Sequence, residues 1–336
     1  MRDFFTAYTN TNAVAFPDTE GVNSSGPSET DGTEFVKISI DDGYGWGWIQ
    51  ALFDKAGLTP NGSAESVSNS QVVDAHEILF GIPDGYISGL IPAIAADTDH
   101  DITFSVGEAR SDLAASLERI LLASAITKQI DVNWVAGNNA GGFPSGLTLT
   151  ADTWYHLFVI KNNSSGVVDA GFDTSLTASN LLSDASGYTE FKRVGSVLTD
   201  GSSNILGFTQ VGTTIILDAP ILDEDNTDPG ISAVTATLSV PLGVRVIPLA
   251  RFSHTTINAN QLIIFSALDQ TDVAPSSTAA PLADQSGESG AGATETGQLP
   301  EIFTDTSQQI RYRQTESNTS AVVRIATYGW KEMEER

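Results

Sequence analysis

The sequence predicts a mainly β protein, an antiparallel β-sandwich or barrel-like domain with an extended N-terminal arm and a short helical hairpin. After Gly81 the chain consists of short β-branched and aromatic runs separated by Gly, Asp, Asn and Pro, at the spacing typical of sandwiches. Residues 1–38 contain only isolated apolar residues among Asn, Thr, Ser and Gly. Residues 39–81 instead place apolar residues at helical spacing.

The N-terminal arm, residues 1–38, cannot bury enough apolar surface to fold alone. We therefore expect it to lie along a partner protein or a neighbouring subunit, as an attachment segment. The first predicted helix covers Asp41–Ala56 and ends at Gly57, which suits a helix C-terminus.

The second helix of the hairpin is indicated by a capping-box spacing. Ser68 and Gln71 stand three residues apart, just before a run of apolar residues at helical spacing. Gly81 is the expected stop of this helix.

Residues 82–268 form the predicted β-sandwich domain. Residues 113–134 are ambiguous, because Leu113, Leu117 and Leu121 also fit a helical period. The expected strands are Ile102–Val106, Trp154–Lys161, Val167–Phe172, Phe191–Leu198, Ile205–Gln210, Thr214–Leu217, Ala233–Leu238, Val244–Leu249 and Gln261–Ser266.

The C-terminal part begins with a low-complexity segment, residues 269–300, rich in Ser, Ala, Thr, Gly and Pro. We expect this segment to be extended or disordered on its own. Residues 301–336 are predicted to form a hairpin of Gln309–Arg313 and Ala321–Tyr328, followed by a charged tail.

Composition excludes several classes of function. The chain of 336 residues has a net charge of −26 and only 16 Lys and Arg residues, so no nucleic-acid surface is expected. It has no cysteine, which excludes thiolate metal sites and disulfides. No apolar run approaches the roughly 20 residues of a membrane span, so no membrane insertion is expected. The N-terminus lacks the apolar core of a signal peptide.

One block of the chain resembles a family of tailed-bacteriophage tail-fibre and virion structural proteins. A WYH strand at residues 154–156 is followed by GVVDAGF at 166–172 and TDGSSNILGFTQ at 199–210, and Gly329-Trp330 closes the order. The resemblance implies a strand at Arg119–Ala123 and a short helical turn at Ala125–Asp131.

The resemblance also implies a function. Members of this family are virion components, typically homotrimers attached to a tail or baseplate through their N-terminal part. We therefore expect a non-enzymatic tail-fibre or host-attachment protein, made in the host cytoplasm and located in the virion. Its expected partners are other copies of itself, other phage tail proteins and a host surface glycan.

Two alternatives belong to other classes of function. A virion-associated depolymerase that cuts host glycan is one, although the sequence lacks the short parallel repeats of a β-helix. A capsid decoration or head-fibre protein is the other, and it shares the structural role at a different place in the particle.

The candidate receptor site is the segment Val135–Gly146, here called the Gly-rich loop. Its glycines permit unusual backbone angles, Asn138 and Asn139 offer amide donors and acceptors, and the preceding Trp134 can supply a stacking face for a sugar ring. A connecting or subunit-contact loop is the alternative interpretation of the same residues.

Two further groups of residues suggest chemistry. Asp223, Asp225 and Asp228 crowd one segment before Pro229, and such oxygen-rich segments suit calcium, although the spacing is not that of an EF-hand. A solvated acidic loop is the alternative, and no other cofactor is expected. For His156 the sequence favours a hydrogen-bonded structural histidine over a general base, since no second histidine stands at a spacing that would join it.

Overall fold

The computed structural model describes residues 52–59, 70–114, 116–256, 261–286 and 293–333. These residues fall into two compact units, divided between Pro83 and Asp84. The predicted arm at 1–38 and most of the first predicted helix lie outside the described residues. In the part of the chain that is described, no helix is long and apolar enough to cross a membrane.

The first unit is helical where it is described. Residues 52–56 are helical, and Gly57 follows with a φ of 71°. Helix α1, Gln71–Phe80, confirms the second predicted helix and ends directly before the expected Gly81. Its capping hydrogen bond comes from Ser70, whose Oγ accepts the Val73 N–H at 3.3 Å. The predicted capping residue Ser68 lies outside the described residues.

In its described residues the second unit is built from β-strands, with one short helix, α2, at Ser179–Asp184. The strands of its first part are β1 Ile87–Gly89, β2 Pro92–Ile94, β3 Asp101–Phe104, β4 Gly107–Arg110, β5 Arg119–Leu122, β6 Ile126–Asn133, β7 Ala140–Phe143, β8 Trp154–Asn162, β9 Val168–Asp173 and β10 Tyr188–Leu198. Those of its second part are β11 Phe208–Val211, β12 Thr214–Thr227, β13 Val234–Thr237, β14 Val246–Thr256, β15 Leu262–Ser266, β16 Gln285–Ser286, β17 Ala293–Gln298, β18 Gln309–Gln314 and β19 Val322–Glu332.

Five sheets result, in the orders β1-β4-β5, β2-β3-β6-β7, β10-β8-β9, β11-β12-β19-β14-β17 and β13-β18-β15-β16. The named strands pair in antiparallel fashion except β6 with β7, which are parallel. The mainly β, antiparallel architecture predicted from the sequence is therefore confirmed.

Strand β8 is buried on both faces because its apolar residues are continuous rather than alternating. Leu157 and Val159 point into the main core, whereas Phe158 and Ile160 point into a second, smaller cluster that includes Leu181 of α2. A strand covered on both sides has little tolerance for polar side chains. The motif that carries the family resemblance thus lies at the centre of the β-sheet structure.

The last two sheets pack face to face through aromatic residues. The rings of Phe252 on β14 and Phe265 on β15 have centroids 4.6 Å apart, and Phe265 lies 6.2 Å from Tyr312 on β18. The first contact joins the inner faces of the two sheets, and the second extends the aromatic cluster along one of them.

The expected helical turn at Ala125–Asp131 is wrong. These residues belong to β6, where Ile126, Lys128 and Ile130 are buried and the residues between them are more exposed. This period of two is the pattern of a strand, and it overrides the helical spacing that the preceding leucines suggested.

The expected C-terminal hairpin is also wrong, although both of its strands exist. Strand β18 pairs with β13 and β15, while β19 pairs with β12 and β14 in the opposite sheet. Each strand has one apolar face, and these two faces meet across the core instead of lying side by side. Residues 301–333 are therefore an integral part of the sandwich.

Two segments expected to be loops, and one expected to be extended or disordered on its own, contain strand structure. The acidic segment before Pro229 belongs to β12, which continues to Thr227, and the Gly-rich loop contains β7. Within the described part of the low-complexity segment 269–300, β16 and β17 each pair with a neighbouring strand. Pairing with a neighbouring strand stabilises these segments as strands, although their side-chain patterns do not predict a strand.

Candidate functional site

A buried ion pair binds the backbone of the Gly-rich loop. Lys128 on β6 and Asp169 on β9 are 0% and 2% exposed, and Lys128 Nζ lies 3.1 Å from Asp169 Oδ1. Lys128 Nζ also donates to the carbonyl oxygens of Val135 at 2.6 Å and Gly137 at 3.2 Å. The Gly137 N–H donates in turn to Asp169 Oδ2 at 2.7 Å. Both buried charges therefore bind the backbone at the start of the same loop.

This arrangement satisfies the hydrogen-bonding needs of the pair. Burial lowers the pKa of the Lys128 ammonium, and the Asp169 carboxylate opposes that shift. Removing one partner from a buried pair typically costs about 3–5 kcal/mol, because the other charge stays buried without compensation. The loop is consequently a fixed feature of the fold.

Trp134 forms part of the same support. Its Nε1 donates to the Ala170 carbonyl at 3.1 Å, and its ring meets Tyr188 edge-on with centroids 5.4 Å apart. Lys128 Nζ lies 5.4 Å from the centroid of the indole ring. The predicted stacking residue is thus half-buried, and its contacts position the loop.

The two asparagines occupy different roles on the exposed side of the loop. Asn138 Oδ1 accepts the Thr127 N–H at 2.7 Å, so this side chain fastens the loop to β6. Asn139 adopts a φ of 54°, a left-handed conformation that Asn tolerates well. The Asn139 side chain is exposed and makes no hydrogen bond within the described residues, so its amide is available to a ligand.

The three predicted calcium ligands are not brought together. Asp223 accepts the Ser239 hydroxyl at 2.6 Å and the Thr327 hydroxyl, and burial raises the pKa of its carboxyl. Asp225 pairs with Arg324 at 2.9 Å, and Asp228 accepts from a serine hydroxyl. Among the residues the structure describes, no three His, Asp or Glu side chains are grouped to hold a metal ion.

His156 is buried and hydrogen-bonded, in agreement with the structural interpretation of this residue. Its Nδ1 lies 2.9 Å from the Oγ of Ser196, which also accepts from Arg193 at 3.1 Å. Burial, together with the positive charge of Arg193, lowers the pKa of His156 to about 3. An imidazole of that pKa is too weak a base to activate a serine at neutral pH.

Sequence reasoning missed Lys128 and Asp169, the residues that fix the loop. A signal for Lys128 was present, because it stands in phase with Ile126 and Ile130 on the buried face of one strand. A lysine in that position requires a carboxylate partner. The identity of the partner depends on the pairing of distant strands, which the sequence pattern does not give.

Comparisons with known proteins return little similarity. No protein-family model matches the chain, and no curated protein matches it. Among solved structures, one similar chain comes from the structure of the infectious bursal disease virus Gx strain, at 10% identity and a TM-score of 0.18, covering 72% of this chain and 70% of that one. A TM-score this low does not indicate a shared fold, and no functional argument rests on it.

Proposed function

We propose that this protein is a structural component of a tailed-bacteriophage virion, located in its tail-fibre or host-attachment apparatus. The observation that carries the proposal is the exposed first part of the Gly-rich loop, Val135–Asn139, whose backbone is bound by the buried pair of Lys128 and Asp169. Host recognition requires binding groups held at one place on a rigid scaffold, since ordering a flexible loop would reduce affinity.

The order of motifs along the chain supports the same proposal. The WYH motif that resembles the phage family lies in β8, and most of GVVDAGF lies in β9, which pairs with β8. The TDGSSNILGFTQ motif begins directly after β10, the third strand of the same sheet. The similarity therefore falls on the sheet beside the loop. The role we propose is binding rather than catalysis, and the low pKa of the buried His156 fits that role.

The proposed contact is a host glycan bound weakly by each subunit and more strongly by several copies. Asn139 supplies the free amide, while Trp134 and Asn138 hold the loop that presents it. Replacing Asn139 with Gly keeps the left-handed backbone and removes only the side chain. Loss of one hydrogen bond should weaken binding by about 2- to 10-fold per subunit.

The test measures adsorption of phage particles that carry Asn139→Gly. We expect slower adsorption with normal particle yield. Asp152→Gly is the matched control, because Asp152 is exposed and also has a positive φ, 49°, outside the Gly-rich loop. Normal adsorption of the Asn139 variant would remove this loop as the receptor contact. Antibody labelling of intact particles separately tests the location, and labelling of the head would contradict a tail position.

A further inference from the structure

A second candidate site lies on the outer face of the sheet β11-β12-β19-β14-β17. Here a solvent-open depression of about 500 Å³ is lined mainly by Leu222, Arg251, Ser253, Thr296, Gln298 and Arg324. This volume falls within the range of small-molecule binding sites.

Strand register creates the depression. Arg251 on β14 faces Ala326 on β19 and Gln298 on β17, while Ser253 next along β14 faces Arg324 and Thr296. The small side chains of Ala326 and Ser253 form the floor. The longer side chains around them form the walls.

Arg251 is the unusual member of this surface. It is exposed and makes no hydrogen bond or ion pair within the described residues. In a chain with 42 Asp and Glu residues, a guanidinium without a carboxylate partner is unexpected. The other described arginines all donate to a carboxylate or a carbonyl: Arg110, Arg119, Arg193, Arg245, Arg311, Arg313 and Arg324.

The charge of the depression favours a ligand with a single negative charge. Arg324 lies diagonally across from Arg251 on the neighbouring strand, within reach of a long side chain. It is paired with Asp225 at 2.9 Å, so the three charged groups together carry one net positive charge. A carboxylate matches this charge and the planar, two-pronged geometry of the Arg251 guanidinium.

The uncharged groups favour a saccharide as the carrier of that carboxylate. The side chains of Ser253, Thr296 and Gln298 make no hydrogen bond within the described residues, and they can donate to and accept from hydroxyl groups. Leu222 and Ala326 add apolar surface for the C–H face of a sugar ring. The depression is therefore lined by both polar and apolar groups.

We propose that this depression binds an acidic saccharide, with Arg251 holding the carboxylate of a uronic acid unit. The site lies on a different sheet from the Gly-rich loop, and the proposal holds whether or not the protein belongs to a virion.

The experiment uses the full-length protein and methyl glucuronide as the probe, with binding measured by ligand-observed NMR titration. Methyl glucoside, which has a CH₂OH group in place of the carboxylate, is the matched ligand. We expect saturable binding of the glucuronide. The glucoside should bind at least about tenfold more weakly, because it cannot form the charge-assisted hydrogen bonds between the carboxylate and Arg251.

Arg251→Gln should weaken glucuronide binding by a similar factor. Lys331→Gln is the control variant, because Lys331 is an exposed cation on β19 outside the depression. This variant should bind methyl glucuronide as tightly as the wild type does. Circular dichroism melts establish that both variants are folded.

Four results would overturn the proposal. Absence of saturable glucuronide binding would remove the site, and equal binding of the glucoside would remove the role of the carboxylate. An equal loss in the Lys331 variant would indicate non-specific attraction. Tighter binding of glucose 6-phosphate or of a short poly-aspartate peptide would assign the site to another class of ligand.

Discussion

The buried residue His156 makes the stability of this fold depend on pH. Its Nδ1 lies 2.9 Å from the Ser196 hydroxyl, which also accepts from the Arg193 guanidinium, and that guanidinium pairs with Glu332. Protonation would place a second positive charge beside Arg193 in a buried environment. The folded state therefore favours neutral His156, and its pKa falls from 6.5 to about 3.

This shift predicts a loss of stability in mild acid. In the unfolded chain His156 binds a proton near pH 6.5, whereas in the folded protein it does so only near pH 3. The contribution is complete above pH 6.5 and is lost as the pH falls from 6.5 towards 3. Between pH 7.5 and 5.0, His156 alone should lower the free energy of unfolding by about 2 kcal/mol.

Urea unfolding of the wild type and of His156→Asn at both pH values measures this contribution. Asn keeps a polar group near the position of Nδ1 but does not titrate, so the variant should lack about 2 kcal/mol of the pH dependence. Other groups with shifted pKa values, such as His254 and Asp223, contribute equally to both proteins and cancel in the difference. Equal pH dependence in the two proteins would show that His156 has an ordinary pKa.

The candidate loop shows what single-residue patterns reveal and what they omit. The sequence pointed to Asn138 and Asn139 because their side-chain amides can donate and accept hydrogen bonds in a Gly-rich segment. It did not reveal that the Asn138 side chain accepts the Thr127 N–H, whereas the Asn139 side chain makes no hydrogen bond within the described residues. That difference arises from the parallel pairing of β6 and β7, which brings the loop back over β6.

At the scale of elements, the glycines of the Gly-rich loop serve close packing as well as turn geometry. Gly137 has a φ of 110°, as expected for a turn. Gly141 and Gly142 instead lie in strand β7. A Cβ on Gly141 would stand 2.0 Å from the Asn133 carbonyl oxygen, and one on Gly142 would stand 2.8 Å from the Phe172 ring.

These distances predict opposite results for two alanine substitutions. Gly141→Ala should destabilise the protein by about 1–3 kcal/mol, because the conflicting atom is backbone and the two strands must separate. Gly146→Ala should be neutral or stabilising by up to about 1 kcal/mol, since a Cβ there meets nothing within 4 Å and the unfolded chain loses freedom.

Urea denaturation of both variants provides the comparison. If Gly141→Ala were as stable as Gly146→Ala, β7 would not pack against β6 as described. Because the two substitutions make the same chemical change within one loop, effects of the denatured state largely cancel.

At the scale of the whole molecule, sequence patterns located strands better than they located partners. Alternation identified the strands β18 and β19, with Tyr312 and Ile325 on their inner faces. Nearness in sequence then suggested a hairpin, but the two strands lie in opposite sheets. Pairing depends on contacts between residues far apart in sequence, and a period of two carries no information about which neighbour a strand selects.

The polar contacts inside the sandwich also form between residues far apart in sequence. His254 on β14 and Gln314 on β18 meet at 3.2 Å between the two sheets, and both are buried. Neither residue has an apolar pattern that marks it as interior beyond its phase on the strand. The sequence therefore predicted the fold class and many of its strands, whereas the polar contacts that join the sheets required the structure.

We propose that the whole molecule assembles as a homotrimer. The sequence at 1–38 carries too little apolar surface to form a core of its own, and packing between subunits would supply the missing burial. Large apolar side chains also remain exposed on the β-sheet unit, including Val211 at 73% and Leu282 at 65%. Light scattering of the full-length protein at micromolar concentration should give a mass three times that of the 35.4 kDa chain, unchanged on tenfold dilution. A stable mass of 35.4 kDa would contradict the trimer, and the exposed apolar side chains would then need another partner.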